Sequence, residues 1–210
     1  MNQGYVTGTL YTGMEWISRI VYVNALWLLF TLMGGVIFGI SPATAALFSI
    51  TKKWVNGEEV PAVFTQFWQE YRFYFWRSQK ISFVFGVAGI LLFIDWHFFS
   101  QRQSNMNLIG KMLTVQLILL YAALLFYIFP VFVNGEYKMS RALKQAGFLA
   151  LQAPFKTIFG LGSAAALLLL FITIPAVALL CAASSLAMWV WFYTERVIAD
   201  KTWPIAGKIK

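Results

Sequence analysis

The chain has 210 residues, of which 60% are hydrophobic and 11% charged, and its mean hydropathy is +0.70. Soluble domains carry roughly 25% charged residues, and a folded chain of this size keeps too much surface in water to tolerate so apolar a composition. A water-soluble globular fold is excluded. So is the nucleic-acid reading that a net charge of +8 would otherwise invite, because Lys and Arg in a membrane protein decorate cytoplasmic loops and face anionic headgroups.

The first 18 residues hold no Lys or Arg, so the basic region of a cleavable signal is missing. Residues 20–40 form the first apolar run; at 1.5 Å per residue it reaches about 30 Å, the hydrocarbon thickness. Ser41 as N-cap and Pro42 at the first helical position then predict a short helix over 42–55, closed by Asn56-Gly57. Lys52, Lys53 and Trp54 at its end suit headgroup depth. Over 61–80, Phe64, Phe67, Trp68, Tyr71 and Phe75 recur at helical spacing, which predicts an aromatic amphipathic helix leading into a second span at 81–99. A third span covers about 108–133. A second amphipathic helix follows over 140–152, closed by Pro154. The remaining apolar stretch is too long for one span, and Pro175 divides it into spans at 157–174 and 176–192.

The expected fold is therefore an all-α membrane protein: a single integral membrane domain with five transmembrane helices and cytoplasmic helices at 42–55, 61–80 and 140–152. Counted over successive connections, thirteen of the 16 basic residues fall on one side, and Arg19, Arg102 and Lys111 fall on the other. The positive-inside rule then puts the N-terminus outside and the C-terminus in the cytoplasm. Small residues mark candidate packing faces: Gly35 and Gly39 in the first span, Gly86 and Gly89 in the second, with Asn24 and Pro42 beside them. Helices in lipid associate through close backbone approach and interhelical hydrogen bonds, not through the hydrophobic effect. The aromatic stripe Phe64, Phe67, Trp68, Tyr71 and Phe75 is a candidate docking surface for a partner, set against the plainer role of an interfacial element.

Little in the chain speaks for catalysis. It lacks a phosphate-binding GxxxxGK[ST] loop and an HExxH pair, and it has one cysteine and one histidine. Asp95 and His97, two residues apart on a helix, point in different directions and cannot clasp one metal. No cofactor, metal or catalytic residue is expected, and no enzyme.

Met14-Glu15-Trp16, Tyr22-Val23-Asn24, Leu26-Trp27, the run Gly39-Ile40-Ser41-Pro42-Ala43-Thr44-Ala45-Ala46, Lys53-Trp54, and the aromatics from Phe64 to Trp76 stand in an order that resembles the YesL-like family of small bacterial multi-pass membrane proteins. That family brings no catalytic residues to carry over. Its members look like companions of carbohydrate ABC importers in Gram-positive bacteria. The resemblance implies a plasma-membrane protein working as a non-enzymatic accessory or regulatory subunit beside importer permease subunits. An independent small transporter or channel, a homo-oligomer, and a membrane scaffold or sensor stand as the alternatives.

Overall fold

The computed structural model describes residues 3–101, 105–135 and 139–199. Among them are seven helices and no strand: α1 (Gln3–Met33), α2 (Ile40–Val55), α3 (Val63–Ser100), α4 (Asn105–Val133), α5 (Met139–Gln152), α6 (Pro154–Thr173) and α7 (Pro175–Ala199). Five stretches are long and apolar enough to cross a membrane: Gly13–Met33, Val63–Ser100, Asn107–Val133, Pro154–Thr173 and Pro175–Ala199. The protein is an all-α, multi-pass membrane protein. Pro175 divides the last two of these helices as expected, and Arg102, Lys138, Lys201, Lys208 and Lys210 lie outside the described residues.

The apolar run 20–40 is not one helix. α1 stops at Met33, and Gly35 (φ +71°) and Val36 (φ +59°) take the left-handed backbone that ends helices. Residues 34–39 turn so tightly that a Cβ on Gly39 would sit 2.3 Å from the Thr31 carbonyl oxygen, and one on Gly34 would sit 2.4 Å from the Gly39 Cα. α2 then runs back along α1. The Trp27 indole donates to Thr44 Oγ1 at 3.1 Å, and Trp54 at the far end of α2 meets Trp16 near the start of the described side chains. The helix begins at Ile40 with Gly39 as its cap, so Ser41 does not cap it. Its hydroxyl donates instead to the Ser78 carbonyl of α3. Pro42 lies in the first turn, where a missing N–H leaves no bond unmade.

α2 was expected at the surface; it is the hub of the molecule. It packs against α1, α3, α4 and α7, and Ala43, Ala45, Ala46 and Ile50 have no exposed surface at all. Small side chains let four neighbours approach. The two threonines bond within the helix: Thr44 to the Ile40 carbonyl and Thr51 to the Leu47 carbonyl. α3 continues unbroken for 38 residues, so no boundary falls between its aromatic half and its apolar half. α4 returns antiparallel to it, with Tyr74 on Phe132, the Tyr121 hydroxyl donating to the Phe85 carbonyl, and Gly110 under the Phe99 ring. α5 packs mainly on α4, the helix before it, whereas α2 packs mainly on α3, the helix that follows it. α6 and α7 form a hairpin in which the Tyr193 ring covers Gly160.

The two terminal helices lie side by side and run in opposite senses. Asn24 joins α1 to the Leu179–Ser184 stretch of α7, and Lys52, close to Trp54 and so level with Trp16 of α1, reaches Trp191 further along α7. The leading end of α1 and the trailing end of α7 thus share one end of the bundle. An arrangement with those ends on opposite sides was expected. That expectation took the run 20–40 as one straight crossing and α2 as an outlying surface helix, whereas α1 and α2 turn back on each other here.

Candidate functional site: a polar cleft beside a tryptophan cluster

At the end of the bundle where α2 finishes, Lys52 and Lys53 fall in the last helical turn, where ammonium groups offset the partial negative charge of the helix terminus. Lys53 pairs with Glu70 of α3 at 3.0 Å and donates to Gln66 at 3.2 Å, so the loop between α2 and α3 is closed by a polar clasp. Ser49, Lys52, Glu58, Gln69, Phe73, Tyr74 and Val133 complete the walls of a cleft of about 530 Å³ around that clasp. Burial pushes the Lys52 ammonium below its usual range, against the opposing pull of Glu58, Glu195 and Glu70. Its Nζ lies 5.9 Å from the Trp191 ring centre. Beside the cleft, Trp16 and Trp54 meet edge to face at 6.3 Å, and the Arg19 guanidinium lies within 6 Å of both rings (5.7 and 5.9 Å) while pairing with Glu15. Chemically this end of the molecule offers paired charges, a partly dehydrated lysine and aromatic faces. Sequence periodicity did not point to this cleft because its residues come from α2, α3, α4 and the loop after α2.

The predicted docking stripe divides. Phe67 and Tyr71 are buried in the molecule's own interior, where the Phe30 ring of α1 is enclosed by Phe64, Phe67, Trp68 and Tyr71 at centre distances of 5.1 to 5.9 Å. Phe75 is part-buried against Tyr71. Helical spacing placed the five on one face correctly, but that face closes on Phe30, so Phe67 and Tyr71 are corrected from docking surface to core. Phe64 and Trp68 keep partial exposure at its edge, and Trp76, on another face, is 80% exposed.

The predicted packing residues divide too. Asn24 is buried; its Nδ2 donates to the Leu179 carbonyl at 2.8 Å and its Oδ1 accepts from the Ser184 N–H at 3.2 Å. Gly39 and Pro42 are buried at the start of α2. Gly89 lies under Tyr121, whose hydroxyl would stand 3.0 Å from an added Cβ. Gly35 and Gly86 would meet nothing there, so neither is a close-packing residue: Gly35 is a chain-reversal glycine, and Gly86 faces outward. Asp95 and His97 are both exposed, and His97 bonds Gln101 rather than a carboxylate.

Comparison with known proteins supplies the lineage. A family of unknown function, DUF624, matches residues 20–96, the stretch that holds the later part of α1, all of α2 and most of α3. The protein described as "Uncharacterized protein YteU" of Bacillus subtilis is 34% identical over 163 residues, covering 78% of this chain and 73% of the relative. The chain belongs to this YesL-like, DUF624 family. Two further relatives from the same organism, described as YesV and YesL and likewise as uncharacterized, are each 32% identical, over 81% and 68% of this chain and 82% and 67% of their own lengths. No solved structure matches it.

Proposed function

We propose that this protein is a non-enzymatic accessory subunit of a carbohydrate ABC importer in the bacterial plasma membrane, packing against the permease subunits and stabilising or regulating them. The observation that carries the reading is the arm formed by the second half of α3 and the first half of α4. Outward residues from Phe83 to Phe98 and from Leu108 to Leu120 are bulky and apolar, and apart from each other they meet little of their own chain. Such an arm offers a membrane-embedded partner two helix faces, and an importer permease is the partner that the family resemblance implies. The cleft around Lys52 and Glu70 adds a polar surface for the partner's soluble portions.

The test is affinity purification of the tagged full-length chain from its native membranes in a mild detergent. A permease or its ATPase should co-purify in stoichiometric amount. Purification with neither, together with solute flux through liposomes containing this protein alone, would replace the accessory reading with an independent transporter.

A further inference from the structure

We propose that α1 and α2 form one hairpin that enters and leaves the bilayer by the cytoplasmic face, so that both ends of the chain are cytoplasmic. α1 and α7 are neighbours, each long enough to cross, and they run in opposite senses through Asn24 and the Trp16–Trp54–Lys52–Trp191 series. Two antiparallel neighbours in one bilayer place the start of one and the end of the other on the same face. α7 is followed by Lys201, Lys208 and Lys210, and Arg196 stands in its last turn; basic residues in that position belong to the cytoplasm. The leading end of α1 goes with them, and Arg19, which fell on the less basic side when α1 was read as entering from outside, joins the basic side.

The tip of the hairpin meets the conditions of a hydrocarbon environment. Residues 34–39 read Gly-Gly-Val-Ile-Phe-Gly, with no charged group, and Val36, Ile37 and Phe38 are exposed. Lipid cannot satisfy backbone polar groups, so they must be met internally. Here the Gly34 N–H donates to the Phe30 carbonyl, the Val36 N–H to Thr31, and the Ile40 N–H to Val36, while the Phe38 carbonyl accepts from the Gln79 side chain. At the other end of the hairpin, Trp16 and Trp54 around Arg19 have the composition of a membrane–water boundary. The cleft, the tryptophan cluster and the end of α7 then lie on one cytoplasmic face. This inference does not depend on the importer reading.

Full-length chains carrying Cys181→Ala and a single new cysteine, Gly13→Cys, Glu58→Cys or Ala199→Cys, test it with a membrane-impermeant maleimide. An added Cβ at Gly13 meets open space, and Glu58 and Ala199 are exposed. All three should label in inverted vesicles and none in intact cells. Labelling of Gly13→Cys from outside intact cells, with Ala199→Cys labelled only from within, overturns the proposal. A fluorescent protein that matures only in the cytoplasm, fused in turn to each end of the unaltered chain, gives a reading free of any folding defect in the cysteine variants. Both fusions should be bright, and a dark N-terminal fusion beside a bright C-terminal one also overturns it.

Discussion

α2 and the outer half of α3 are both apolar helices of similar length, yet one is the most enclosed part of the molecule and the other one of the barest. α2 is built from Ala43, Thr44, Ala45, Ala46, Ser49 and Thr51; the outer half of α3 is built from Phe83, Val87, Ile90, Leu91, Phe93 and Ile94, of which Phe83 and Phe93 are at least 70% exposed. In water the bulky helix would be driven inside. In lipid the solvent is as apolar as the side chains, so hydrophobicity does not sort helices by depth within the protein. Close backbone approach and hydrogen bonding do that instead. The lesson extends to Asn24, a polar side chain that ties α1 to α7 more specifically than the leucines around it.

The contrast can be broken most severely at its tightest point. Ala46→Leu adds volume at a site with no exposed surface and four neighbouring helices, and it should destabilise the protein by about 1–3 kcal/mol. Ile90→Leu on the bare arm should change stability by less than about 0.5 kcal/mol. Thermal unfolding in detergent, read by size-exclusion survival, compares the two, and equal losses would abolish the distinction. Next in size, Asn24→Leu removes both bonds to α7 and should lower stability by about 0.6–1.7 kcal/mol, the range measured for interhelical hydrogen bonds in membranes. A smaller effect than that of Asn24→Leu belongs to the clasp at the cleft. Glu70→Gln removes one charge of a partly exposed pair and should shift stability by less than about 1 kcal/mol, with that shift shrinking further as salt is raised.

Much of this was legible one residue at a time. The apolar runs, the break at Pro175 and the grouping of Phe64, Phe67, Trp68 and Tyr71 on one helix face all follow from period and length. What that face meets was not legible, because Phe30 lies more than thirty positions away and nothing local signals the encounter. The turn at 34–39 carried a signal in Gly34, Gly35 and Gly39. Within an apolar run, though, glycines serve equally as a packing stripe, and only the left-handed backbone at Gly35 and Val36 distinguishes a reversal from a straight span. The cleft had no local signature at all, since its wall is assembled from α2, α3, the tail of α4 and the loop after α2.

By itself the sequence determined the solvent and the secondary structure. Low charge, runs of bilayer length and well-placed prolines leave an apolar chain no choice but helices whose backbones satisfy themselves. The tertiary structure decided which helix is central, which aromatic rings are core and which ends of the chain lie together. Those outcomes depend on contacts between distant segments of nearly equal hydrophobicity, where small differences in side-chain size and one buried amide outweigh any local preference.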